Sequence, residues 1–214
     1  LDAPVGCTLM GVGGFPGSHP NYTGLVGMHG SKASNKAISE CDLFICLGSR
    51  FNDRVVGEVS QFGKKARFIH IDIDKAEISK NVPVDHYING DIKEVLSKIN
   101  ACLEPMERKA WLEQVDSWRP KRSRNVMAEV LPLTPESIMK NIYNETKGDA
   151  IIVTDVGQHQ MWAAIYYTYD EPWQYISSGG FGTMGYGLGA AIGAKIGAQQ
   201  TQDRLVIHIT GDGS

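Results

Sequence analysis

Apolar and polar positions along this chain switch repeatedly between two periods. Three short apolar runs ended by a glycine or an acid, "LFICLG" (43–48), "RFIHIDID" (67–74) and the weaker "HYING" (86–90), have the length and composition of strands buried in a sheet. The stretches around them, "SKASNKAISECD" (31–42), "KAEISKN" (75–81) and "DIKEVLSKINACL" (91–103), read as helices. In the last of these Ile92, Val95, Leu96, Ile99 and Leu103 recur at helical spacing, and Asp91 is placed to cap the first turn.

The second half repeats the alternation. "ERKAWLEQVDSW" (107–118) is amphipathic at helical period, and "RPKRSRNVMAEVLPL" (119–133) breaks it with two prolines and a basic cluster, as a linker would. Thr134 before Pro135 and Glu136 combines a cap, a first-turn proline and an acid at the positive helix end, so a helix is expected over 135–146. Strands follow at 150–157, 174–180 and 204–214, with helices at 159–169 and 186–198. Strand and helix in alternation predict an α/β chain with two doubly wound parallel-sheet domains. The division expected is 1–104, a helix and linker over 105–133, and 134–214. Both domains are expected to be incomplete, because Leu1 is not an initiating residue and "LVIHITGDGS" stops one turn after a strand.

Composition narrows the function without choosing it. A hydrophobic share of 42% with 21% charged residues suits a folded globular chain with a sizeable core. A formal charge of −3 and a single basic run, "RPKRSRN" (119–125), argue against a nucleic-acid partner, and no apolar run is long enough for a membrane span. Cys7, Cys41, Cys46 and Cys102 lack paired metal spacing and are expected to be reduced core thiols.

The candidate chemistry lies where strands end. "DVGQHQ", "SSGGFGTMG" and "TGDGS" each follow a predicted strand, and in a parallel sheet all carboxyl ends share one edge, where ligands bind. Gly157 permits a tight turn, after which the amides of Gln158 and His159 open a helix and suit a phosphate. Asp212, between two glycines, is a plausible magnesium ligand, since magnesium takes few carboxylates and shares the rest with phosphate oxygens. "GGFGTMGYGLGAAIGA" (179–194) carries seven glycines in sixteen residues, which fits either an idle loop or a large ligand lying against the main chain. Each turn alone is often only a turn, His159 alone a cap, and Met184 alone a packing residue. In the first half "VGMHG" (26–30) could bring backbone to a ligand. Asp72 and Asp74 stand where ribose-binding acids often sit, or are a solvated strand end. Arg50 and Arg54 of "SRFNDR" could hold phosphate or pair with acids. "GVGGFPG" (11–17) fails the dinucleotide-binding spacing.

In this order "GMHG", "SRFNDRVVGE", "HIDIDKAEISKN", "DVGQHQMWAA", "SSGGFGTMGYGLGAAIGA" and "GDGS" resemble the large, catalytic subunit of acetolactate synthase (acetohydroxyacid synthase), over nearly the whole chain and most weakly across 104–133. The resemblance implies the later part of a central FAD-binding domain joined to the start of a thiamin-diphosphate-binding domain. It places Gly157, Gln158, His159, Gly182, Thr183, Met184, Gly213 and Ser214 at thiamin diphosphate, with Met184 propping the cofactor's bent form as the one catalytic contact. It makes Asp212 the Mg2+ ligand. It places Thr8, Leu9, Met10, Val26, Gly27, Met28, His29, Gly48, Arg50, Asn52, Arg54, Val55, Asp72, Ile73, Asp91, Ile92, Gly179 and Gly180 at FAD. Two positions depart from the family pattern: Asn52 replaces a usual aspartate and Gly189 a usual proline.

The implied reaction is decarboxylation of pyruvate and condensation of its two-carbon unit with a second 2-keto acid, in branched-chain amino-acid biosynthesis. The implied assembly is a homodimer or tetramer with a possible small regulatory subunit. The compartment is cytoplasmic, or plastid or mitochondrial in a eukaryote. The family's catalytic glutamate and the asparagine completing the magnesium site match nothing here, so the segment alone is expected to be inactive. The rival readings are another FAD-keeping carboligase such as glyoxylate carboligase, and a catalytically dead binding or regulatory relative.

Overall fold

The computed structural model describes residues 1–120 and 133–213. Most of the expected linker, at 121–132, and Ser214 lie outside the described residues. Two compact units are present: Leu1–Thr8 with Val26–Arg119, and Leu9–Leu25 with the described part of Pro120–Ser214. Two short strands, β1 (Val5–Cys7) and β2 (Tyr22–Leu25), fall one in each unit.

In the first unit β3 (Leu43–Leu47), β4 (Arg67–Asp72) and β5 (His86–Asn89) form a parallel sheet in the order β3-β4-β5. The helices are α1 (Lys32–Glu40), the single-turn α2 (Asp53–Val56), α3 (Ile92–Cys102) and α4 (Lys109–Ser117). Asp91 caps α3 as its position suggests, accepting from Glu94 N at 3.1 Å. One sheet face is sealed by Phe44, Phe51, Phe62 and Phe68, whose six ring pairs all lie at 5.3–6.3 Å between centroids. Helix α4 packs on α1, with Lys36 Nζ 5.3 Å from the Trp118 ring centroid.

Three expectations change here. Residues 75–81 form only a 3-10 turn, Lys75–Glu77, because Ser79 takes a left-handed φ of 57° that stops a helix. The β3 run is buried on one face only. Phe44 and Cys46 face the phenylalanine cluster, whereas Leu43, Ile45 and Leu47 are exposed along an edge strand, with α3 packing on β4 instead. Of the cysteines only Cys46 is buried, and Cys102 is exposed.

The second unit has a parallel sheet in the order β7-β6-β8, from β6 (Ala150–Thr154), β7 (Tyr175–Ser177) and β8 (Leu205–Ile209). Its helices are α5 (Pro135–Thr146), α6 (Gln158–Tyr166) and α7 (Tyr186–Gln199). Thr134 caps α5, and Ser137 returns the bond to close a capping box. Helix α6 stops three residues short of the predicted end. Tyr167 turns extended, and Tyr167 and Tyr169 are buried in a chain of tilted and edge-on rings from Tyr143 to Tyr175. Burial pushes the Tyr169 phenol well above its ordinary range, and its hydroxyl donates to Ala163 O. Residues 9–25 group with this unit because Gly17 N donates to Tyr169 O and Ser18 N to Asp170 Oδ1, both at 2.8 Å.

Helix α7 meets the sheet closely at its first turn, through Gly187. A Cβ added to Gly187 would stand 2.3 Å from His208 Nε2 and 3.0 Å from Asp155 N. Gly187→Ala is therefore expected to destabilise the chain by about 1–3 kcal/mol. Gly189, with nothing within 4 Å of an added Cβ, should gain up to ~1 kcal/mol as alanine. Urea unfolding of the two variants should move in opposite directions. Burial raises the Cys46 thiol to about 11, so at pH 8 a maleimide should label Cys102 well ahead of Cys46 in the folded chain; equal labelling rates would contradict the packing described.

Candidate functional site

Level strand ends create the site in the second unit. Thr154, the last residue of β6, is in register with Ser177 on β7 and Ile209 on β8. The three following loops, 155–157, 178–185 and 210–213, therefore leave from one edge. Thr154 Oγ1 donates to Ser177 Oγ at 2.8 Å, and Gln160, nearly buried, donates to the same hydroxyl at 2.6 Å. These bonds fix the root of α6 against β7.

The loops meet pairwise. The His159 ring lies between the first and third: added Cβ atoms on Gly157 and Gly211 would stand 3.0 Å and 3.1 Å from its Cε1. Met184 Cε is 3.7 Å from the Cβ position of Gly213, joining the second loop to the third. A Cβ added to Gly182 would stand 3.9 Å from Val156 Cγ1, joining the second to the first. Residues 157–159, 182–184 and 211–213 thus share one side of one sheet. Gln158, Thr183 and Asp212 are exposed there, as is Met184 at 62%. Within the middle loop Ser178 holds the turn, its carbonyl accepting from Gly182 N and its hydroxyl from Thr183 N.

Two features suit a polar ligand. His159 Nε2 is buried without a hydrogen-bond partner. Helix α6 has no side-chain cap on its first turn, so its leading amides point into the shared space uncapped. Among the described residues no cluster of three or more His, Cys, Asp or Glu could hold a metal alone. Asp212 is a lone carboxylate, the donor set expected where phosphate oxygens complete a magnesium shell.

The first unit presents a second edge of the same kind. Leu47 is in register with Ile71, and Asp72 with Asn89, so Asp72 ends its strand and Gly48, Arg50, Ile73, Asp91 and Ile92 follow strand ends on the same side. Gly48 N donates to Ile71 O, and its Cβ position is 2.9 Å from Ile92 Cδ1. Val26–His29 run beside Arg54 and Val55. Met28 N donates to Arg54 O at 2.8 Å, and the Arg54 guanidinium meets Met28 Sδ at 3.8 Å. Asn35 clamps Gly27 on both backbone groups at 2.9 Å. Asn52 accepts from Val55 N to cap α2, a task its amide oxygen performs in place of a carboxylate. Thr8 belongs to this unit, while Leu9 and Met10 lie in the other, packed against Gly179, with Gly180 open beside them.

Residues 1–99 match the family described as thiamine pyrophosphate enzyme, central domain, and residues 155–214 its C-terminal TPP binding domain. The chain belongs to the thiamine pyrophosphate enzyme family. It is 38% identical to the acetolactate synthase isozyme 3 large subunit of Escherichia coli, with all of this chain aligned to 38% of that protein. It is 44% identical to a probable acetolactate synthase large subunit of Methanocaldococcus jannaschii, 98% of this chain against 36% of that one. Against acetolactate synthase 1, chloroplastic, of Nicotiana tabacum it is 42% identical, 99% against 32%. The chain thus spans under two fifths of the length of these relatives.

Sequence reasoning passed over Asp155, Gln160 and Ser178, which the fold places at the loop roots. An acid directly after a strand and before a glycine turn was the available signal for Asp155. Gly27 gives the sharpest test of the first edge: φ is 90°, and an added Cβ would stand 2.2 Å from Arg54 O. Gly27→Ala is expected to cost at least about 2 kcal/mol by chemical denaturation, and a neutral result would show that 26–29 does not lie against Arg54.

Proposed function

We propose that the protein carrying this chain is an acetolactate synthase that joins pyruvate to a second 2-keto acid, using thiamin diphosphate, Mg2+ and FAD. The observation that carries this reading is the convergence of 157–159, 182–184 and 211–213 on one sheet edge, in a chain whose relatives bear that name. Thiamin diphosphate, when bound, supplies the nucleophilic carbon through which pyruvate loses carbon dioxide and passes on its two-carbon unit.

The chain's own residues hold and shape that site. The amides opening α6 and the orphaned His159 Nε2 face the diphosphate side. Asp212 supplies one carboxylate to Mg2+, and Gly213 lies beside the diphosphate. Gly182 and Thr183 present backbone to the pyrimidine ring, and the exposed Met184 side chain props the cofactor's bend. Asn52, Val55 and the remaining first-unit residues Thr8, Val26–His29, Gly48, Arg50, Arg54, Asp72, Ile73, Asp91 and Ile92 receive FAD. Within the first unit, exposed apolar Met28 and Ile73 suit a flavin's mixed surface.

Residues 1–104 then belong to the FAD-binding domain and 134–214 to the thiamin-diphosphate-binding domain, in a homodimer or tetramer that can take a regulatory subunit. Among the described residues no helix is long and apolar enough to cross a membrane, and the compartment proposed is cytoplasm, or an organelle in a eukaryote.

In the full-length protein Asp212→Ala should weaken Mg2+-dependent thiamin diphosphate binding by more than about tenfold, the lower bound for disturbing even an outer partner of a metal site. Unchanged affinity by titration calorimetry would remove the metal role. The purified 214-residue segment should form no acetolactate from pyruvate, and turnover by it would refute the need for groups from elsewhere.

A further inference from the structure

Asp155 is 1% exposed, one residue beyond β6, and has no part in the contacts proposed for the cofactors. Its N–H donates to Ile209 O at 3.0 Å, which ties it to the end of β8. One carboxylate oxygen accepts from Val156 N at 2.8 Å. Both oxygens accept from Gly185 N, at 3.0 Å and 2.9 Å. Gly185 is the N-cap of α7 and the last residue of the glycine-rich loop, held left-handed at φ 83°. One buried residue therefore fastens the roots of all three loops that form the candidate site.

A carboxylate this buried is costly unless donors surround it. Two backbone amides and the positive end of α7 supply that compensation. An asparagine of the same shape cannot do so. Oδ1 accepts from both amides and Oδ2 from Gly185 N, so an amide NH2 in the second position would stand donor against donor at Gly185 N.

We propose that Asp155 is a positioning residue whose carboxylate sets the spacing between 156–159 and 178–185, so that the thiamin diphosphate site is formed before the cofactor arrives. This rests on the reading of the site given above.

The test compares the full-length apo-protein with its Asp155→Asn variant by amide hydrogen exchange, thermal unfolding and calorimetric titration of thiamin diphosphate at saturating Mg2+. In the wild type, Val156 and Gly185 amides should be protected without cofactor. In Asp155→Asn both should exchange at least about tenfold faster and cofactor Kd should rise about tenfold or more, the loss of a bond to a charged group. At saturating cofactor, kcat should stay within about threefold. A lowered Tm with unchanged cofactor Kd would mark a merely structural role and overturn the proposal. Should the variant not fold, the wild type decides: protected amides support the clamp, and exchange as fast as at open Gly180 overturns it. A wild type that does not bind thiamin diphosphate sinks the functional reading instead, while the exchange measurement still judges the clamp.

Discussion

Parallel pairing with level strand ends is the constraint on which the remaining structure depends. Thr154 stands opposite both Ser177 and Ile209, and parallel strands cannot be joined by tight hairpins. Each strand must therefore leave the sheet at the same edge and return through a crossover. Helices α6 and α7 both begin at that edge, so their leading amides gather with the loops without any special sequence for bringing them together. The first unit obeys the same rule with β3, β4 and β5. A chain with two such sheets has two ready-made ligand edges.

The glycine run at 179–194 answers to several demands rather than one. Gly187 is a packing glycine, excluded from bearing a side chain by His208 and by the backbone of Asp155. Gly185 supplies a left-handed turn and the amide that Asp155 binds. Gly180 and Gly182 leave open backbone above the sheet edge, with almost nothing near an added Cβ. Gly189, Gly193 and Gly197 lie on α7 with no described atom near an added Cβ, so no close approach within this chain accounts for them. Only Gly179, Gly187 and the left-handed Gly182 and Gly185 are accounted for by contacts or conformation within this chain.

Much of this was legible beforehand because it is local. Asp91 and Thr134 were readable as caps from their place before a helical period, and both cap. The three chemistry-bearing turns could be assigned to one edge because parallel topology permits nothing else. The failures were non-local. A left-handed Ser79 ends a helix that the apolar spacing favoured. Tyr167 and Tyr169 leave α6 for a ring cluster that only the folded unit supplies. The phenylalanine cluster joins residues from four separate stretches, and residues 9–25 join the second unit through bonds to 169–170. Asp155 and Asp212 look alike in sequence, each an acid in the loop after a strand with a glycine within two residues.

The contrast between those two aspartates shows how placement divides one chemistry into two tasks. Asp155 is buried and its carboxylate accepts from backbone amides, so its lone pairs are engaged in holding backbone. A cation placed there would have to displace those amides and leave them unsatisfied inside the protein. Asp212 is exposed on a turn between two glycines and accepts no hydrogen bond from a described residue. Its carboxylate is free to meet a hydrated divalent ion at little desolvation cost, with the remaining coordination positions left to water and phosphate. The edge thus holds one carboxylate against backbone and leaves the other open to solvent. Exchanging their environments would close the exposed acid to solvent and strip the buried one of its amide donors.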